Sequence, residues 1–196
     1  MHPDRKITIL QVASDLFNEL APANTSLRMI ADRAGVSKAL LLKEWKSRNN
    51  LIIATLDFER LKIANIWSDV GPDSSLDAIC FKILSTYKTN PRYFSLITQA
   101  AIDCPDPEIQ QWLKERVVYG QLQGVLDKLN TLPEHQNSSL QQWSPEALSL
   151  FASICTFALP VLSPKILSWY GVPQDKQAEV EAETLMLFVQ ALVGRS

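Results

Sequence analysis

Apolar residues recur at three-and-four spacing near the start of the chain, at Ile7, Leu10, Ala13, Leu16, Phe17 and Leu20. That is the stripe of a helix with one buried face, and Ala21-Pro22-Ala23-Asn24 breaks it. Thr25 or Ser26 can cap a second helix over 27–34, because either hydroxyl can accept from the N–H groups of the next turn; Gly35 ends it. Ser37 can cap a short third helix through 44. A polar turn, Lys46-Ser47-Arg48-Asn49, then leads into a long pattern over 50–70. Further helical patterns fall at 75–89, 91–102, 107–130, 145–162, 164–170 and 176–193, and the one long polar loop is 131–144. Glycine is scarce and no alternating stretches joined by Asn-Gly or Asp-Gly turns occur. The predicted fold is therefore all-α, without sheet.

The informative stretch runs from Ser26 to Leu41. Two helices crossing at a steep angle must approach closely before their turn, and Ala31 supplies the small residue this needs. Four residues on, Gly35 can take the left-handed conformation that ends the first of the two. Ile30, Ala34, Val36 and Leu41 then face inward. This is the arrangement of a helix-turn-helix whose second helix can enter a major groove. A generic hairpin of two helices uses the same small residue and glycine, so the wider pattern has to separate the two.

Read from Ile9 to Leu51, the segment resembles the head of the tetracycline-repressor (TetR) family. The resemblance rests on Ala13, Leu16 and Phe17 in the first helix, then Thr25-Ser26, Arg28, Ile30-Ala31 and Ala34-Gly35-Val36-Ser37, and finally Trp45, Ser47-Arg48 and Leu51. It implies a three-helix DNA-binding head over 1–48 on a larger helical-bundle body over 49–196, which binds ligand and dimerises. The implied function is sequence-specific transcriptional regulation, as a repressor, by a homodimer on a palindromic operator that a small apolar ligand releases. The DNA-binding residues would be Ser26, Arg28, Ser37, Lys38, Ala39, Leu42, Lys43 and Arg48. Of these, Arg28, Lys38 and Lys43 can reach phosphates or base edges, with Lys38 best suited to guanine O6/N7, and Arg48 is suited to phosphate. Trp45 is assigned to the core.

The chain departs from the family where Gly-Thr is usual, here Ala39-Leu40, and where a phosphate-contacting Tyr is usual, here Leu42. Two hydroxyls are thereby lost from the recognition helix. These aliphatic residues motivate a second reading, a TetR-like protein that has lost DNA binding and serves as a protein-interaction module.

For the body, the resemblance implies a dimer interface on the last two long helices, with Phe151, Ile154, Phe157, Ala158, Leu185, Phe188, Val189 and Leu192. It also implies a ligand pocket drawn from Trp67, Phe81, Tyr87, Phe94, Thr98, Gln99, Trp112 and Tyr119.

Charge fits one end touching DNA. Residues 1–62 carry ten Lys and Arg against seven Asp and Glu, net +3, whereas 63–196 carry nine against fourteen, net −5. Cys80, Cys104 and Cys155 form no CxxC or Cys/His spacing, so neither a metal site nor a disulfide framework is expected and the thiols read as reduced. The only histidines are His2 and His135, and neither a phosphate-binding glycine loop nor a serine-centred elbow is present. An enzyme is not expected, nor any cofactor. The N-terminus has no signal-like apolar core, and the apolar run 148–162 is short and interrupted, which predicts a cytoplasmic protein without membrane spans.

Overall fold

A computed structural model of the protein describes residues 2–63, 89–119 and 159–193, together with 82, 85, 86, 144, 146, 147, 150 and 154. Among these residues there are eight α-helices and no strand. The chain divides into two compact units, Met1–Asn65 with Ser95–Glu115 and Ile66–Phe94 with Arg116–Ser196.

The first unit opens with α1 (Pro3–Leu20). It begins four residues ahead of the apolar stripe because Pro3 has no N–H to leave unbonded and Asp4 complements the positive end of the helix dipole. In α2 (Leu27–Ala34) the cap is Ser26, whose hydroxyl accepts from the Met29 N–H at 3.2 Å. Thr25 is buried instead, its hydroxyl donating to the Ala21 carbonyl at 2.9 Å.

Gly35 lies at φ 63°, ψ 37°. The Val36 N–H reaches back to the Ala31 carbonyl at 3.0 Å and the Gly35 N–H to that of Asp32 at 3.3 Å, the paired bonds of a Schellman ending. In α3 (Lys38–Trp45) the Ser37 hydroxyl accepts from the Leu40 N–H at 3.1 Å. In α4 (Arg48–Lys62) Ser47 does the same for Asn50 at 3.0 Å, so this helix starts two residues before the predicted position 50. It ends at Lys62, with Ile63 as its cap; the predicted continuation over 64–70 lies outside the described residues.

The head packs α1 against α2 and α4, and α3 against α2 and α4. Phe17 of α1, Ile30 of α2, Leu41 of α3 and Leu51, Ile52 and Leu56 of α4 meet in its core, each burial contributing about 1.5–3 kcal/mol. Ala31 is buried as the close approach requires, while Ala34 and Val36 are half-buried rather than fully inward. A polar link crosses the α1–α4 seam: the buried Ser14 hydroxyl donates to Glu59 Oε1 at 2.6 Å, and Lys62 Nζ donates to the same oxygen at 2.7 Å.

Two later helices extend the unit. In α5 (Pro91–Asp103) the part from Ser95 onward belongs to it, and α6 (Pro107–Leu113) packs on α4 through buried Ile109 and Leu113. The predicted single helix over 107–130 changes character early, because residues Lys114–Val118 form a wider π turn; 120–130 lie outside the described residues.

In the second unit α7 (Leu159–Trp169) packs against α8 (Gln174–Val193). The boundary predicted between 162 and 164 is absent. Pro164 lies inside α7, which forgoes only the hydrogen bond that an N–H at 164 would make to the Pro160 carbonyl. α7 ends at Gly171, φ 73°, where the Val172 N–H bonds the Leu167 carbonyl at 2.9 Å. No helix among the described residues is long and apolar enough to cross a membrane.

Candidate nucleic-acid interface

The sequence of α3 sorts its side chains onto two faces. Leu41 and Trp45 are buried against the head, and Lys38, Ala39, Leu42 and Lys43 are exposed, with Lys46 exposed just past the helix end. Neither Lys38 nor Lys43 has a side-chain partner among the described residues. The one acid of α3, Glu44, is turned toward α1, where Lys6 Nζ donates to its Oε1 at 2.9 Å. The Lys6 hydrogen bond holds the Glu44 carboxyl below its ordinary pKa, with the charge of Lys6 adding to the effect. The outward face of α3 is therefore purely cationic and aliphatic.

A cleft of about 330 Å³ lies beside this face, walled by Ser26, Arg28, Lys38 and Arg48 with the 23–25 loop and Leu27. The capped N-termini of α2 and α3 belong to the same region, so backbone N–H groups and cations favour an anion there together. Arg28 is exposed, its Nε 3.7 Å from Asp32, a surface pair that a phosphate can displace.

Arg48 makes backbone contacts in addition to the phosphate contact expected of it. Its Nε donates to the Thr25 carbonyl at 3.0 Å, and its Nη2 to those of Ala23, at 3.1 Å, and Pro22. It straps the loop before α2 to the start of α4, and only its remaining N–H donors are left for a ligand.

Lys46, part of a polar turn in the sequence, adds a further exposed cation just past α3. This residue lies at φ 67°, ψ −41°, and the Ser47 N–H reaches the Trp45 carbonyl at 2.8 Å, closing a strained γ-turn at the end of α3. Its Nζ donates to the Lys43 carbonyl at 3.0 Å. Its signal in the sequence is the lysine recurrence at 38, 43 and 46.

The residues expected to line a ligand pocket are only partly described. Phe94 is buried and stacks edge-on with Tyr93 at 5.0 Å between ring centroids; Tyr119 is exposed; both fall in the second unit. Thr98, Gln99 and Trp112 are half-buried in the first. Gln99 Nε2 donates to Ser95 Oγ at 3.2 Å, and its buried Oε1 has no partner among the described residues. Trp67, Phe81 and Tyr87 lie outside the described residues, as do Phe151, Phe157 and Ala158 of the expected interface. Ile154 is exposed, and Leu185, Phe188, Val189 and Leu192 are on α8, their side chains outside the description. Cys104 is buried, which pushes its thiol pKa up; Cys80 and Cys155 lie outside the described residues.

The sequence pattern of the bacterial regulatory proteins of the TetR family matches residues 9–55, the segment that folds into α1–α4. The head segment thus carries the TetR-family pattern. The chain is also 38% identical over 64 residues to an HTH-type transcriptional repressor of Mycobacterium tuberculosis, Rv3405c, and to an HTH-type transcriptional regulator of Mycobacterium bovis, Mb3439c. Each match spans 33% of this chain and 34% of the relative. Beyond the head, the likeness is one of fold. A structure described as a TetR-family transcription regulator from Shewanella sp. PV-4 aligns with TM-score 0.67 at 18% identity, over 92% of this chain and 95% of its own. One from Streptomyces coelicolor aligns at 0.60 and 16% identity, over 98% and 88%. A TetR-type head on a helical body is thus the architecture.

Proposed function

We propose that this chain is a TetR-family, sequence-specific DNA-binding transcriptional repressor, cytoplasmic, that binds a palindromic operator as a homodimer and is released by a small apolar ligand. The head, residues 1–48, would read DNA, and the body, 49–196, would hold the ligand and dimerise. The observation that carries the reading is the outward face of α3: Lys38 and Lys43 stand exposed and unpaired among the described residues while Leu41 and Trp45 anchor the helix from behind. Repression is supported by the name of the Mycobacterium tuberculosis relative, a transcriptional repressor.

Two heads related by a two-fold axis would meet half-sites about 34–36 Å apart, or a multiple of that. Ligand would act by favouring a body arrangement in which that separation no longer fits. The exposed aliphatic residues Ala39 and Leu42 favour one other reading, a protein-interaction module in place of a DNA reader. Selection from a pool of random genomic fragments by the purified protein separates the two. Enrichment of a roughly palindromic site is expected, and a pool that stays unenriched would leave the interaction module.

A further inference from the structure

The centre of the reading face is hydrocarbon. Ala39 and Leu42 are both exposed on α3, Leu42 by 38%, although the buried side of the helix is already filled by Leu41 and Trp45. At a spacing of three residues their side chains are neighbours, about 5–6 Å apart at Cβ. Lys38 stands four residues before Leu42, Lys46 four residues after it, and Lys43 beside it, all exposed. Glu44 is drawn off to Lys6 on α1. The result is an aliphatic patch within a cationic rim, which suits a polyanion that also offers an apolar group at the centre of contact.

We propose that Ala39 and Leu42 recognise thymine through its C5-methyl group, an inference that rests on the DNA-binding reading above. In the major groove every base presents hydrogen-bonding groups, and among the four only thymine adds a methyl. Aliphatic side chains pressed on the amino group of cytosine or on O6 of guanine would strip water from a polar group and give nothing back. Against thymine they bury the methyl. The separation of Ala39 and Leu42, set against a rise of about 3.4 Å per base pair, matches methyls on adjacent or next-but-one pairs. Each half-site should therefore hold two closely spaced thymines next to the guanine that suits Lys38.

The test replaces thymines one at a time by deoxyuridine in the duplex that the native protein enriches, which removes the methyl and leaves every hydrogen-bonding group. At two positions per half-site Kd should rise about fourfold, the worth of one buried methyl at about 0.8 kcal/mol. Elsewhere it should not change. L42A, altered at an exposed site, should lose the sensitivity at one of the two positions while keeping it at the other. Uniform indifference to deoxyuridine, with selective binding retained, would overturn methyl recognition and leave DNA binding standing. Failure to enrich any duplex would instead remove the DNA reading, and this inference with it.

Discussion

Arg48 reaches three backbone carbonyls at once, those of Pro22, Ala23 and Thr25. A planar guanidinium can fork between them, whereas an ammonium offers a point charge that reaches one. Arg48→Lys should therefore lower the unfolding free energy by about 1–3 kcal/mol in urea titration, although charge is conserved. An unchanged midpoint would mean that the strap contributes nothing.

Ala21 is the other residue with a measurable consequence. It lies at φ 69°, ψ 150°, a region that suits glycine. Relief of strain should exceed the added chain entropy, so Ala21→Gly should stabilise by about 1 kcal/mol and raise Tm by about 2–4 °C. A lower Tm by calorimetry would contradict this. Ser26, Gly35 and Ser37 were legible in the sequence because a cap acts within three residues of itself. The role of Arg48 was not, since its partners lie 23 to 26 positions away and depend on the loop being folded.

Among the elements, α3 owes its orientation to what holds its ends and its inner face. Lys6 of α1 bonds Glu44 at 2.9 Å and its ammonium lies 5.8 Å from the ring centroid of Trp45. Because the folded-state pKa of Glu44 is depressed, the tie contributes fully above the ordinary carboxylate range and is lost as pH falls through the lowered value. An NMR titration should find the Glu44 carboxyl below its ordinary value in the native protein, and restored toward it in Lys6→Met. A native titration at the ordinary value would exclude the tie. Helix existence was legible throughout the described segments, because the apolar period is long and strong. Ends were less so: α1 gained a turn from Pro3 and Asp4, and α7 ran through Pro164, where packing on α8 outweighs the loss of one hydrogen bond.

At the scale of the whole molecule, the segments differ in charge, and both units expose hydrocarbon. The +3 of residues 1–62 suits a polyanion, while the second unit leaves Leu162, Ile166, Trp169 and Tyr170 exposed, Trp169 by 74%. A large apolar group left in water is what a second copy would cover. If the proposed homodimer uses this surface, Trp169→Asp should shift sedimentation toward monomer, and an unaltered dimer would place the contact elsewhere. None of these four was among the interface residues read from sequence, which drew on the apolar runs of the two long helices; helical period identifies faces that are apolar, and only packing tells which of them the chain itself leaves open.

On the proposed reading, α3 meets phosphates and base edges with its lysine face. Titration of the enriched duplex with salt tests it most directly, because phosphate neutralisation releases counterions. A dimer contacting about six to ten phosphates should lose about 10³–10⁵ in affinity between about 50 and 200 mM salt, with log affinity linear in log salt, and should keep its preference over random duplex throughout. Affinity indifferent to salt, or equal for selected and random sequence, would contradict it.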